Sequence, residues 1–384
     1  MTETTDTLIL GAGPAGLATA ACLGRAGAAY LLAEAGARAG ESWHNHYARL
    51  HLHTVRDNSH LPHLPFPSDW PRYVPRALLA EYLESYARTM GIAPRFGAAA
   101  ESVERTGDGE GWRTRLSDGA AVVSRNVVVA TGFNRVPVRP RWEGMEGFAG
   151  TVEHSRDYRS GVAHKGQDVL VVGMGNTGAE IALDLLEQGA RPAIAIRGPV
   201  NIVPRDVLGR STQQTARLLA RLPDRVGDAL GVLLRKLTVG DLRRWGIETP
   251  AEPPAAQLRL HGKTPVIDVG TLAEIKAGKI GIRPDLRRFD GDSVEFVDGR
   301  RERYDHVVLA TGYRPGIVDF LPAAAPVLDA RGGPRELSPG GELCGIHFVG
   351  FDGYSVGGLL AAIRRDAQVV AATITGAAVA SAGA

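Results

Sequence analysis

Two runs share the spacing G-x-G-x-x-G: Gly11-Ala12-Gly13-Pro14-Ala15-Gly16 and Gly173-Met174-Gly175-Asn176-Thr177-Gly178. Each follows an apolar run of strand type, Leu8-Ile-Leu10 or Asp168-Val-Leu-Val-Val172. Each also opens a helix-type run, Leu17–Leu23 or Asn176–Leu186. Such a loop needs its first glycine for the tight turn, its second so that backbone can approach a pyrophosphate, and its third so that helix can pack on strand. The free N–H groups and positive dipole end of the helix then face the phosphates. One loop of this kind is weak evidence. Two imply two dinucleotides on one chain and electrons passing between them.

The strand after each loop discriminates between nucleotides. Ala29-Tyr-Leu-Leu-Ala33 ends at Glu34-Ala35, and an acid there accepts hydrogen bonds from ribose hydroxyls and repels a 2′-phosphate. The first site is therefore expected to take FAD or NAD rather than NADP, and its place at the extreme N-terminus favours FAD, with Pro14, Ala15 and Ala35 beside it. Ala193-Ile-Ala-Ile196 ends instead in Arg197, whose guanidinium suits the 2′-phosphate of NADPH; the alternative is a plain surface arginine. Two further strand-type runs are near copies, Val127-Val-Val-Ala130-Thr131-Gly132-Phe133 and Val307-Val-Leu-Ala310-Thr311-Gly312-Tyr313. Their small-residue ends suit a chain passing close to a dinucleotide. Val103 is also counted as a cofactor contact.

The bulk of the chain sets the frame. Its 384 residues are enough for two cores, and 44% hydrophobic with 22% charged residues is ordinary for a globular protein. A formal net charge of +2 makes no case for nucleic acid. Two distant cysteines, Cys22 and Cys344, cannot form the C-x-x-C pair of a disulfide reductase. An acidic start, Met1–Asp6, is no signal peptide. The tail Ala367–Ala384 is too rich in Ala, Gly, Ser and Thr for a membrane anchor and reads as a terminal helix that packs and then frays. A cytoplasmic enzyme, monomer or homodimer, is expected, with a small-molecule substrate and no membrane.

Six histidines, His44, His46, His51, His53, His60 and His63, fall between the first strand pair and Pro65. No cysteine completes a familiar zinc pattern, so no metal is expected. The stretch reads as a long loop wrapping the first cofactor, with Trp43 and His53 in contact and Arg49 nearby. Between the glycine loops stands Phe148-Ala-Gly150-Thr-Val-Glu-His154-Ser-Arg-Asp-Tyr158. Its His154 and Tyr158 are expected to hold a domain junction rather than to react. The catalytic residues are unknown.

That stretch resembles the F-x-G-x-x-x-H-x-x-x-(Y/F) motif of class B flavin-dependent monooxygenases, at Phe148, Gly150, His154 and Tyr158. The chain is most similar to the YUCCA-like members, through Tyr47-Ala-Arg-Leu-His-Leu-His53, Leu64-Pro-Phe-Pro67, Lys263-Thr-Pro-Val-Ile-Asp-Val-Gly270 and Gly358-Leu-Leu360. The resemblance implies an oxidoreductase in which NADPH reduces FAD. The reduced flavin takes up oxygen as a C4a-(hydro)peroxyflavin and passes one atom to a substrate such as indole-3-pyruvate or a related 2-oxo acid, which is oxidatively decarboxylated. N- or S-oxygenation of a soft nucleophile, and electron transfer without oxygen insertion, are the alternatives. Where animal members of this class keep an asparagine near the flavin, the corresponding region here is Leu52–Val55, with Thr54 as its occupant. Val200–Leu260 matches poorly.

The fold class expected is α/β: two Rossmann-like domains, the NADPH domain inserted in the FAD domain, as 1–157, 158–314 and 315–384. Gln213–Lys236 alternates apolar and basic residues at helical spacing and is expected to form one or two amphipathic helices, either over a cleft between the two domains or simply facing the core.

Overall fold

The computed structural model describes residues 2–207, 209–352 and 358–377. The chain opens with β1 (Thr2–Leu10), α1 (Pro14–Arg25) and β2 (Tyr30–Ala33), crosses a long loop to α2 (Arg76–Thr89), and forms β3 (Ala100–Arg105), β4 (Trp112–Leu116) and β5 (Ala121–Val129). Pro14 takes the first helical position of α1, where its missing N–H costs nothing. These strands lie in the order β2-β1-β5-β4-β3. β1 runs parallel to β2 and β5, and β4 is antiparallel to both β3 and β5. In β4, Trp112, Thr114 and Leu116 are buried while Arg113 and Arg115 face out, as in a strand covered on one side. Val127, Val128 and Val129 at the end of β5 are all buried, as in a strand covered on both.

The chain leaves this sheet through Val136–Pro137 and comes back through Tyr313–Arg314, and the two segments pair antiparallel as a narrow neck. Between them lies a second, all-parallel sheet. It is built from β6 (Thr151–His154), β7 (Asp168–Val172), β8 (Arg191–Ala195), β9 (Gly281–Arg283) and a later strand. α3 (Asn176–Glu187) follows β7, and α4 (Thr212–Leu219), α5 (Asp224–Thr238) and α6 (Pro254–His261) lie between β8 and β9. An antiparallel meander follows: β10 (Leu286–Asp290), β11 (Ser293–Phe296) and β12 (Arg301–Arg303). Then β13 (His306–Leu309) enters the sheet between β7 and β6, giving the order β9-β8-β7-β13-β6. β14 (Ile346–Phe348) returns to the first sheet, parallel to the end of β5, and α7 (Leu359–Thr375) packs on α1.

Three expectations need correction or limits. The boundary at 157/158 comes too late, because Thr151–His154 already pairs with β13 in the second sheet. Sequence alone hides this: a four-residue strand carries too little periodicity to name its sheet. The apolar face of the 213–236 region is not packed away either. Leu218 on α4, Leu222 in the turn after it, and Val226, Leu230, Leu233 and Leu237 along one face of α5 form a stripe that is 39–77% exposed. Both helices are present, but a stripe alone does not say what covers it. The expected fraying of the tail falls on residues 378–384, outside the described residues. No helix among the described residues is long and apolar enough to cross a membrane.

The two sheets repeat one local design. Gly11 N–H donates to Ala33 O at 2.7 Å and Gly173 N–H to Ala195 O at 2.9 Å. Ala130 N–H donates to Leu10 O and Ala310 N–H to Val172 O, both at 2.9 Å. A Cβ on Gly11 would meet Ala130 O at 2.7 Å, and one on Gly173 would meet Ala310 O at 2.7 Å. Both glycines also have strongly positive φ, +106° and +107°. Gly16 and Gly178 are tighter still, with a Cβ falling 1.8 Å from Gly11 O and 2.0 Å from Gly173 O.

Replacing Gly178 by Ala should therefore destabilise the chain by roughly 1–3 kcal/mol in urea unfolding. Gly175→Ala should shift stability by less than about 0.5 kcal/mol, because its Cβ meets nothing within 4 Å and its φ is −93°.

Candidate functional site

Each glycine loop leaves a cradle. Gly13 and Gly175 have open space where a Cβ would stand. They sit at the N-caps of α1 and α3, and no side chain caps either helix. Backbone N–H groups at both ends are thus left for an anion, as a pyrophosphate requires. Glu34 projects back to the first loop: its carboxylate accepts from Ala12 N–H at 2.5 Å and Gly36 N–H at 2.7 Å. These bonds fix it at the carboxyl end of β2, beside exposed Ala35, where a ribose would lie. Ala15 is buried in the first turn of α1. Thr131 follows the strand end that presses on Gly11, and its buried hydroxyl has no hydrogen-bond partner among the described residues. Gly132 turns the chain there with φ +82°. These features fit a dinucleotide at the first loop.

At the second loop Asn176 and Thr177 have structural duties. Asn176 Oδ1 accepts from Ile267 N–H at 2.7 Å, which ties the Lys263–Gly270 stretch to the start of α3. Thr177 bonds the hydroxyl of Tyr47. Arg197 lies exposed two residues beyond β8, with no hydrogen-bond or ion-pair partner among the described residues. A guanidinium free at this point suits a phosphate. Ala310 lies against Gly173, Thr311 Oγ1 donates to Val138 O at 2.6 Å, and the Gly312 carbonyl faces His154.

His154 is fully buried at the end of β6. Its Nδ1 accepts from Arg156 N–H at 3.0 Å, so Nε2 carries the proton and donates to Gly312 O at 3.2 Å. Burial holds its pKa below the usual histidine range. Both nitrogens are occupied, so the ring braces the Ala310–Gly312 turn instead of carrying protons. Tyr158 is also buried, and its hydroxyl donates to Asp184 Oδ2 at 2.6 Å. Burial, then that carboxylate, pushes the phenol far above its usual range. Gly161 N–H donates to the same oxygen at 2.8 Å.

The histidine-rich loop does something other than wrap one cofactor. It crosses to the second sheet's body and seats Tyr47 in that core. Arg49 forms a paired fork on Glu187, at 2.8 and 2.9 Å, and His53 Nε2 lies 2.8 Å from Glu180 Oε1. Ala48 N–H donates to Arg159 O. Arg49 and His53 are therefore ties to α3. Glu180, Asp184 and Glu187 were missed from sequence. Their signal was available: three acids at i, i+4 and i+7 share one face of an otherwise apolar helix. A cavity of ≈ 530 Å³ lies between the crossing loop and α3, walled by Arg49, His53, Tyr73, Glu180 and Arg205; neither glycine loop lines it.

Within the same loop, Trp43 sits on a single-turn helix, Glu41–His44, and packs on the first core. Thr54 bonds Ser59 Oγ at 2.6 Å and lies under Gly358, at the start of α7. The histidines scatter: His44 goes to Glu84, His53 to Glu180 and His60 to Arg364. Val103 joins no site. Its side chain is in the core beneath the first sheet, and its N–H is spent on Phe320 O at 2.7 Å.

Comparison with known proteins adds the chemistry. Residues 8–208 match the pyridine nucleotide-disulphide oxidoreductase family. The chain is 38% identical over 348 residues to the indole-3-pyruvate monooxygenase YUCCA1 of Oryza sativa subsp. japonica, covering 90% of this chain and 86% of that one. It is 39% identical to the indole-3-pyruvate monooxygenase YUCCA6 of Arabidopsis thaliana, over 95% and 89%. The chain belongs to the YUCCA-like flavin-dependent monooxygenases. It is an oxidoreductase that uses FAD and NADPH. The fold of this YUCCA-like chain is shared with a flavin-containing monooxygenase from Stenotrophomonas maltophilia, at TM-score 0.74 and 21% identity over 97% and 99% of the two chains. The disulphide chemistry in the broader family's name has no dithiol here, since Cys22 is buried and Cys344 exposed, both free.

Two measurements check this site. Tyr158→Phe should lower stability by about 1–3 kcal/mol, leaving the Asp184 carboxylate short of a donor, while kcat changes little. A collapse of kcat at unchanged stability would instead make Tyr158 a proton carrier. Burial also lowers His46 and His347 to about 4, so both stay neutral in the fold yet protonate near 6.5 once unfolded. Their contribution to stability is whole above about 6.5 and is lost as pH falls towards 4. The urea midpoint should drop across that window, and less steeply in His347→Gln.

Proposed function

We propose that the chain oxidatively decarboxylates indole-3-pyruvate or a closely related 2-oxo acid, with FAD held at the first glycine loop and NADPH at the second. The observation that carries the substrate class is 38–39% identity, over nine-tenths or more of this chain, to two enzymes named as indole-3-pyruvate monooxygenases. The site assignment rests on Glu34, fixed beside the first loop, and on Arg197, free beside the second. On this reading the NADPH-binding body is inserted into the FAD-binding one through the neck at 136–137 and 313–314, with FAD contacts shared between the first part and the return segment from 315.

FAD, reduced by NADPH, supplies the oxygen-activating chemistry. The chain's own residues bind, orient and enclose. The two cradles hold pyrophosphates, and Glu34 takes the ribose hydroxyls of FAD. Arg197 reads the 2′-phosphate of NADPH. His154 fixes the Gly312 turn between the sheets, and the Arg49 and His53 ties hold the crossing loop over α3, which limits water entry from that side.

The decisive experiment supplies NADPH, labelled molecular oxygen and a panel of indole-3-pyruvate, phenylpyruvate, trimethylamine and a thioether. The expected product is indole-3-acetate carrying one labelled atom. Label confined to the amine or thioether would overturn the 2-oxo acid reading, and NADPH oxidation with no labelled product would make the chain a reductase. Independently, Arg197→Ala should reduce the preference for NADPH over NADH by about tenfold, the loss of one charge-assisted bond. An unchanged ratio removes Arg197 from the site.

A further inference from the structure

One cluster serves neither dinucleotide. Glu153, on β6, His164, at the end of the short helix Gly161–His164, and His306, at the start of β13, turn one ligand atom each toward a common point. Among the described residues they form the one such group, all three atoms lying within 4.8 Å of one another. Glu153 Oε1 is 2.8 Å from His306 Nε2 and 3.9 Å from His164 Nε2. No lysine or arginine pairs with Glu153 among the described residues. All three side chains are mostly enclosed, with exposures of 22%, 13% and 8%.

A plain Glu153–His306 hydrogen bond would account for two of the three groups, but not for the posture of His164. Its Nδ1 donates to Gln167 Oε1 at 2.9 Å, which leaves Nε2 unprotonated, 3.9 Å from Glu153 Oε1. Its ring stacks on that of buried Tyr158, 6.1 Å away at 12°, and lies 4.3 Å from the ring of His306. A histidine with one nitrogen tied to an amide oxygen and the other offered to a carboxylate and a second imidazole is oriented as metal-bound histidines are. Two imidazole nitrogens and one carboxylate oxygen suit Zn²⁺, at roughly 2.0–2.2 Å from each. A tetrahedral ion wants those atoms about 3.4 Å apart, between the 2.8 Å and 3.9 Å that separate Glu153 Oε1 from the two imidazole nitrogens.

We propose that Glu153, His164 and His306 form a zinc site with a fourth position open to water. The ion cross-links β6, the 161–164 turn and β13. It replaces the Glu153–His306 hydrogen bond and stiffens the segment that carries His154 and Tyr158. The reading does not depend on the substrate.

The test titrates Zn²⁺ into the FAD-loaded enzyme by calorimetry, with zinc per chain measured by atomic absorption after dialysis. One zinc per chain is expected, with a raised thermal midpoint. Both effects disappear in His164→Ala, a less buried ligand whose loss spares the β13 core. Gln167→Ala keeps every ligand and should weaken binding about tenfold or more. His261→Ala removes an exposed histidine that faces Glu252 with no third ligand, and should bind as the parent does. No stoichiometric zinc, or parental affinity in His164→Ala, overturns the site.

Discussion

The architecture depends on a carbonyl oxygen pressed where a side chain would otherwise be. Ala130 O stands over Gly11 and Ala310 O over Gly173, each at the end of the strand next to the one that feeds the loop. The contact makes the loop turn with positive φ, brings the helix back against its own strand through Gly16 or Gly178, and leaves the second glycine bare toward the ligand. Because the neighbouring strand supplies the oxygen, the loop cannot move without its sheet. Loop shape and sheet register are one constraint, set twice in this chain.

That constraint is local, which is why it was readable in advance. The glycine spacing, the small residues at both strand ends and the choice of Glu34 against Arg197 need only a few consecutive positions. The α/β character and the place of both loops followed from them. What the sequence does not reveal depends on partners distant along the chain. Arg49 and His53 stand in a loop rich in ring nitrogens, and nothing near them signals the acids they pair with, which lie more than a hundred positions later on α3. Val103 carries no sign that its amide is taken by Phe320. The strand Thr151–His154 is too short to announce its sheet, so the boundary slid past it.

The motif between the loops gains a physical meaning from these contacts. Phe148 packs on the core around Phe289, and a Cβ on Gly150 would strike Asp305 O at 2.6 Å. His154 reaches the Gly312 carbonyl and Tyr158 reaches Asp184. Each named position therefore fastens β6 to a different neighbour, and none offers a free acid or base. Spacing of this kind records an edge strand that must not slip, since a one-residue shift would turn His154 out of the core.

The neck has a consequence of its own. Two adjacent segments, Val136–Pro137 and Tyr313–Arg314, are the covalent route in and out of the inserted body. Their nearness makes that body look removable by two cuts. Yet the crossing loop has lodged Tyr47 in its interior and hooked Arg49 and His53 onto its acidic helix. A severed piece would carry an empty socket the size of a phenol ring and two unpaired carboxylates. The two parts are thus joined more like an interlocked clasp than like beads on a string.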